Sequence, residues 1–419
     1  MKTLLFINLR SHKVERVAPI IEAKRQGYRV VLMIDHDPQL IESGLDEVIE
    51  IDTYDETAVV EAVLAYHQKQ PLSGILTWSD KDVELVAQLN DRLQLPGIPM
   101  SHVKNARNKY LMRVAFDQVP DISPTFENVR SEDDFRRAVA RIGTPGILKP
   151  VGASGSKGIF KIESESCIDD VYETLRHATS PERDKVYSYY PNDYIYEGYL
   201  VGEEVSVEGV VQNGEVRIAG ITDKAVTPEY SLEYIAIFPS DKHATLQQEI
   251  KTKATQAIQS LGIDHCAFHL EGRATKDGFK VIEAAARPGG GFITSHLIPG
   301  ASGHSFIEKI LDVSVGNDVT ENWPIFDQTS KKMCFYSVMA EQAGTFQGIK
   351  GLDRLVEIPG VHYVIPLKNV GDAIVMPPEH FSSCFVLNIV LEGETTEALR
   401  QKIDWIHKVI EVCLLYTSD

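Results

Sequence analysis

Cys266-Ala-Phe-His-Leu-Glu271 reads as a strand, and after a Lys276-Asp-Gly278 turn a second strand delivers Val281-Ile-Glu283-Ala-Ala-Ala-Arg287-Pro-Gly-Gly-Gly291. Two carboxylates and an arginine therefore share one hairpin. Strand side chains alternate between faces, so His269, Glu271 and Arg273 fall on one side, and Glu283, Ala285 and Arg287 on one side of the returning strand. If both sides face a cleft, Glu271 and Glu283 can hold Mg²⁺ between them. Magnesium takes oxygen ligands in octahedral geometry and draws the remaining ones from water and substrate phosphates, so this pair beside an arginine points to phosphoryl chemistry. The competing reading is an exposed hairpin with ordinary surface acids.

A chain of 419 residues is too long for one simple core and implies about two to four domains. Its 43% hydrophobic and 24% charged residues are those of a folded globular protein. The formal net charge of −18 speaks against sequence-independent nucleic-acid binding, which needs basic patches, so an anionic ligand requires a local basic pocket. Cys167, Cys266, Cys334, Cys384 and Cys413 are odd in number, scattered and free of CxxC spacing. That pattern implies reduced thiols and no structural zinc. The apolar run at residues 4–7 is broken at Asn8 and Arg10, too short for a signal peptide or a membrane span. The expectation is a soluble, cytoplasmic protein with neither nucleic acid nor membrane as partner.

Residues 3–9, 28–34, 47–51 and 74–78 read as strands, and 14–26, 56–68 and 81–93 as helices, which predicts a parallel, doubly wound sheet. The turn after the first strand reads Asn8-Leu-Arg-Ser-His12 instead of GxGxxG, so no dinucleotide is assigned. Thr77-Trp-Ser-Asp80 lies where a small ligand can bind, although Ser79 or Asp80 also fits a helix cap. Beyond a Leu95-Pro-Gly-Ile-Pro99 linker, Ser101 is the expected cap of a helix carrying Lys109 and Arg113 four apart on one face. A solvated basic face is the ordinary meaning of such a pair. Gly146-Ile-Leu-Lys149-Pro150 then ends a strand and opens onto Val151-Gly152-Ala-Ser-Gly155-Ser-Lys-Gly158 before a further strand at 159–162. A loop this rich in glycine and serine brings backbone N–H groups close to phosphate oxygens without Cβ interference. It is no Walker loop, because the GK[ST] ending is absent and a strand follows.

Asp193-Tyr-Ile-Tyr-Glu197-Gly-Tyr-Leu200, then Glu203-Glu204-Val-Ser-Val-Glu-Gly-Val-Val211, complete an ordered series of parts. Over roughly residues 100–315 the chain resembles the ATP-grasp superfamily: Lys109, Lys149, the small-residue loop, the hinge at Glu197, and paired glutamates closing with arginine. Ala285 departs from it, since many members place a metal-binding Asn there. His269-Leu-Glu271 and that alanine make the chain most similar to the L-amino-acid ligase, or carboxylate–amine ligase, branch. The resemblance implies an N-terminal Rossmann-like domain at 1–99, two α+β ATP-grasp subdomains at 100–195 and 196–320, a small α+β domain at 321–412 and a tail at 413–419. Strands at 333–340 and 385–391 and a closing helix at 397–409 suit the small domain.

The same resemblance implies ADP-forming joining of a carboxylate to an amine through an acyl phosphate, with ATP and Mg²⁺, or Mn²⁺ in its place. Lys109 and Lys149 are then the phosphate-binding cations, and Gly152, Ser154, Gly155, Ser156 and Gly158 the lid over the γ-phosphate. Glu197, Tyr199 and Leu200 present the adenine hinge, Glu204 the ribose acceptor, Glu271 and Glu283 the metal ligands, and Arg287 the catalytic and substrate-carboxylate residue. Glu233 is the expected ammonium anchor, with a surface pair to Lys224 as its alternative. His269 and Gly290 complete the substrate list, and the glycine run 289–291 suggests a roomy acyl pocket. Partners are small-molecule acids and amines, amino acids in the favoured case, and relatives of this kind are often homodimers. Three functions stand: a dipeptide or amino-acid-amide synthetase; an ATP-grasp ligase using a carrier-protein thiol or purine or carboxyphosphate chemistry; and a non-catalytic ATP-binding module. Residues 414–419 do not continue the helical period of 403–412 and are expected to form an unstructured end.

Overall fold

The computed structural model describes residues 1–10, 12–40 and 44–415. β1 (Thr3–Ile7), α1 (Lys13–Arg25), β2 (Arg29–Ile34), β3 (Glu47–Glu50), α2 (Glu56–Lys69), β4 (Gly74–Leu76) and α3 (Val83–Leu93) build a parallel sheet in the order β3-β2-β1-β4. β1 is buried along its whole length, as a parallel strand covered on both faces must be. It stops at Ile7 because Asn8 turns left-handed, at φ 51°, and donates through its side-chain amide to Thr53 and Asp82 at 2.8 Å each. Ser79 makes no side-chain cap here, contrary to the sequence expectation, and Asp80 is drawn to a distant arginine described below.

α4 (Lys109–Phe116) is capped by Asn108, whose side-chain oxygen accepts from the N–H groups of Tyr110 and Leu111 at 2.9 and 3.1 Å. Ser101, the expected cap, lies instead 2.9 Å from the ring of His102. β5 (Phe126–Val129), α5 (Glu132–Ile142), β6 (Gly146–Pro150), β7 (Phe160–Ile162), α6 (Ile168–Ala178) and β8 (Tyr194–Gly198) follow, with strands in the antiparallel order β5-β8-β6-β7. α5 forms where Ser131 caps Asp134, three acids occupy the first turn, and Phe135, Ala138 and Val139 make one buried stripe.

β9 (Gly202–Gln212), β10 (Glu215–Val226), β11 (Glu233–Phe238), α7 (Ala244–Leu261), β12 (Cys266–Thr275), β13 (Gly278–Ala285), α8 (Ile298–Ser302) and α9 (Phe306–Ser314) lead into β14 (Lys332–Met339), β15 (Gly344–Lys350), β16 (Val361–Pro366), β17 (Ala373–Ile374), β18 (Phe385–Gly393), α10 (Thr396–Val409) and β19 (Glu411–Leu415). An eight-stranded sheet runs β13-β12-β9-β10-β11-β14-β18-β16, and a small one runs β17-β15-β19. The large sheet thus crosses residue 320, and the four-part division 1–99, 100–195, 196–320 and 321–412 stands as our proposal for the folding units. The chain end differs from expectation. α10 stops at Val409, and Glu411–Leu415 pairs with β15, because Val412 and Leu414 bury against the same apolar cluster as Phe346. Residues 416–419 of the expected tail, and Ser11 in the turn after β1, lie outside the described residues.

One core cluster joins the N-terminal sheet to the large sheet: Leu4, Phe6 and Leu32 share it with Leu297, Phe306, Ile310 and Leu311. Each such buried side chain contributes about 1.5–3 kcal/mol, so the loops after β1 and β4 are held firmly against the β12–β13 hairpin. Cys266, Cys334, Cys384 and Cys413 are free thiols. Among the described residues no helix is long and apolar enough to cross a membrane.

Candidate functional site

The hairpin places Glu271 directly opposite Glu283. The next pair is Gly272 with Val281, so Ile282 is an extra residue on β13, a bulge that re-aims the strand. Ile282 and Glu283 consequently both line one cavity, of about 470 Å³, where strict alternation would have sent Ile282 to the other face. His269, Glu271 and Arg273 line the same cavity, as their spacing predicted.

Its second wall is α4, β6 and the loop after β6. Lys109 Nζ lies 3.1 Å from Glu283 Oε2, and Lys149 is paired with Glu197. Arg113, far from being a solvated base, is 0% exposed and donates to Glu197 Oε2 from Nε and Nη2 at 3.0 and 2.7 Å. Burial alone raises the Glu197 carboxyl, but Arg113 and then Lys149 outweigh it and hold the pKa below its ordinary value. A depressed carboxyl contributes stability above its unfolded pKa, near 4.3, that is lost as pH falls through the folded value. Arg113→Met should therefore destabilise the protein by about 3 kcal/mol and move acid unfolding to higher pH, because burial then dominates at Glu197. Thermal unfolding followed between pH 3 and 7, a window set roughly by the carboxylate range, reads both effects. An unchanged acid limb would show that the pair does not set it.

The loop at residues 151–159 has left-handed backbone at Gly155, Ser156 and Gly158. Ser156 Oγ donates to the carbonyl of Ser231 at 2.8 Å, tying the loop across the cavity mouth. Gly152 and Gly158 do not line the cavity: a Cβ on Gly152 would stand 2.4 Å from the Tyr190 ring, and one on Gly158 2.7 Å from Thr179. They let the loop pack, while Ser154, Gly155 and Ser156 face inward.

Neighbouring strands of the large sheet carry a lattice of charges. Glu204 lies across from Arg273 on one side and Lys224 on the other. Arg273 donates to Glu204 at 3.0 Å and to the carbonyl of Leu200 at 2.7 Å, and its guanidinium sits over the Tyr199 ring, which fixes the strand end at 197–200. Lys224, 1% exposed at its side chain, bridges Glu271 at 2.7 Å and Glu233 at 2.8 Å. Burial and the Glu271 charge push Glu204 up to about 7. Glu271 itself, despite burial, is held well below its ordinary value by Lys224 and His269. Burial and Lys224 disfavour the His269 imidazolium, yet bonds to Glu208 at 2.7 Å and Glu271 at 3.1 Å outweigh them and raise its pKa.

Arg287 does not hang free in the cavity. Its Nε and Nη2 donate to Asp80 Oδ2 at 2.8 and 2.7 Å, and Nη1 to the carbonyl of Pro288 at 2.9 Å. Nor is the glycine run an open wall. An ideal Cβ on Gly289 would lie 2.9 Å from His269, on Gly290 2.6 Å from Arg10, and on Gly291 3.4 Å from Glu233. Gly289 and Gly290 make room for a polar or charged side chain, and Gly291 serves a left-handed backbone at φ 60°. Phe292, held at φ 61°, stacks on Phe335 at 5.5 Å, so the end of the cavity is walled by two aromatic rings where a roomy pocket was expected.

Apart from Gly152 and Gly158, every residue given a site role by the resemblance lines this one cavity: Lys109, Lys149, Ser154, Gly155, Ser156, Glu197, Tyr199, Leu200, Glu204, Glu233, His269, Glu271, Glu283, Arg287 and Gly290. The Glu233–Lys224 pair exists, but inside the cavity and not on the surface. Arg10, Arg113 and Arg273 were given no site role from the sequence, and Asp80 was flagged only as part of a loop where a small ligand can bind. Arg113 carried a signal in its spacing from Lys109 and Arg273 in its shared face with Glu271, whereas Arg10 and Asp80 come from remote segments.

The ATP-grasp domain family matches residues 142–296, and the ATP-grasp N-terminal domain matches residues 20–97. The chain is 30% identical over 279 residues to alanine–anticapsin ligase of Bacillus subtilis, covering 62% of this chain and 57% of that one. It is 28% identical over 261 residues to dapdiamide A synthase of Enterobacter agglomerans, covering 60% of this chain and 58% of that one. The chain thus spans a little over half the length of these relatives. The crystal structure of L-amino acid ligase from Bacillus licheniformis superposes with a TM-score of 0.88 at 21% identity, covering 100% of this chain and 99% of that one, which shows a common fold. Two matching domains place this chain in the ATP-grasp superfamily, where it is similar to ligases that act on amino acids.

Proposed function

We propose that the protein is an ADP-forming carboxylate–amine ligase acting on amino acids to make a dipeptide or an amino-acid amide. The observation that carries the reading is one cavity joining opposed Glu271 and Glu283, the cations Lys109 and Lys149, and a second end bearing Arg287 and Glu233. Among the described residues no group of three or more His, Cys, Asp or Glu forms a cation site. Two opposed glutamates with no third acid suit an ion that completes its shell from phosphates and water, so the residues present fit Mg²⁺, with Mn²⁺ as substitute. Glu271 and Glu283 would hold it, freeing the lysines that now neutralise them. When bound, the ion supplies charge neutralisation and alignment of the β- and γ-phosphates.

On this reading Lys109 and Lys149 hold phosphate oxygens as point charges. The 151–159 loop, with Ser154, Gly155 and Ser156 facing inward, covers the γ-phosphate and excludes water, and Gly152 and Gly158 give it its shape. Backbone groups at Glu197, Tyr199 and Leu200 receive the adenine, and Glu204 accepts from ribose hydroxyls. The substrate carboxylate attacks the γ-phosphorus and ADP leaves; the amine then attacks the acyl carbon and phosphate leaves. Arg287 stabilises the carboxylate and its phosphorylated form, held at the right angle by Asp80. Glu233 anchors an ammonium, and His269 and Gly290 shape that end.

Incubating the protein with ATP, Mg²⁺ and amino acids, singly and in pairs, should release ADP and phosphate in step with product. Stoichiometric AMP and pyrophosphate would move the protein out of this chemistry. Phosphate release that ignores free amino acids but responds to a carrier-protein thiol would favour another acceptor.

A further inference from the structure

We propose that Arg10, from the turn after β1, binds the carboxylate of the amine-bearing substrate, which is therefore an α-amino acid and not a simple amine; this rests on the ligase reading above. Arg10 lines the cavity and donates from Nη2 to the carbonyl of Pro288 at 3.2 Å, while its buried Nε has no hydrogen-bond partner among the described residues. Its backbone is pinned, the carbonyl accepting from Arg16 at 2.8 Å. Across the same pocket Glu233 Oε1 is also buried without a partner among the described residues. A native protein rarely leaves a buried guanidinium N–H and a buried carboxylate oxygen both unpaired, and a ligand that brings an anion and a cation satisfies both at once.

The spacing suits a zwitterion. Arg10 stands over Gly290 and Glu233 over the adjacent Gly291, at 2.6 and 3.4 Å from the positions their Cβ atoms would take. Arg10 and Arg287 meet at the carbonyl of Pro288, to which they donate at 3.2 and 2.9 Å. Arg287 is also committed to Asp80, whereas Arg10 has a buried Nε with no partner among the described residues and so is the arginine left to take a second carboxylate. Glu233 is joined through Lys224 to Glu271, so an acceptor with its carboxylate on Arg10 and its amine at Glu233 points that amine toward the reacting centre.

The test compares a free amino-acid acceptor with its own α-amide in the wild type, Arg10→Gln and Arg10→Lys. The second variant keeps the charge but loses the planar fork that pairs with a carboxylate. Both should lower kcat/KM for the free acid by on the order of 10²-fold, mainly through KM, with less than about a threefold change for the amide and none in the KM for ATP. Equal losses for acid and amide, or a loss confined to the activated acid, would overturn the assignment. Calorimetric binding of the acceptor to protein loaded with a non-hydrolysable ATP analogue should weaken in parallel, independently of turnover. Wild-type protein that releases no phosphate with any amino-acid pair is a different result and sinks the ligase reading itself.

Discussion

Replacing Glu283 by glutamine should lower ATP-dependent turnover by at least about 10³-fold while leaving the melting temperature nearly unchanged. Its carboxylate is ion-paired with Lys109 at 3.1 Å and is not fully buried, so little folding energy depends on it. Glu271→Gln should abolish turnover equally but also cost roughly 1–3 kcal/mol of stability. From sequence alone, neutralising either acid looks harmless to the fold, because two carboxylates side by side repel. The structure reverses that expectation for Glu271, which lies between Lys224 and His269 and is stabilised as an anion. Coupled measurement of ADP release and thermal unfolding separates the two variants. Full turnover by either would remove the metal assignment.

Arg287→Lys should reduce the ligation rate by on the order of 10²-fold or more at saturating ATP, with ATP affinity almost unmoved. Lysine keeps the charge but loses the planar fork, and with it the paired contacts to Asp80 and the bond to the carbonyl of Pro288. The Asp80 carboxyl is held below its ordinary range because Arg287 outweighs the effect of burial, so this pair stays ionised throughout the neutral range. Asp80→Asn should reproduce part of the loss, since it leaves the guanidinium in place but no longer aims it. Nucleotide binding and single-turnover ligation measured on the same variants decide the matter. Weaker ATP binding with an unaltered ligation rate would put Arg287 in the nucleotide site.

The alternation of β12 was enough to put His269, Glu271 and Arg273 on one face, because a strand's period is a local property of the backbone. Strand and helix spacing likewise disclosed the parallel N-terminal sheet, and the order of lysines, loop and glutamates disclosed the superfamily. Local pattern could not show the bulge at Ile282, which depends on the register two strands adopt against each other. Nor could it show that Arg113 is buried with Glu197, 84 residues away, since an i,i+4 basic pair looks the same whether it meets water or an acid. Asp80 and Arg10 reach the site only because an apolar core presses the N-terminal sheet onto the hairpin. Three successive glycines read as empty space in the sequence; the tertiary structure sets His269 against Gly289 and Arg10 against Gly290 and turns the backbone left-handed at Gly291, because the packing of remote elements, which no local pattern records, decides what stands beside each.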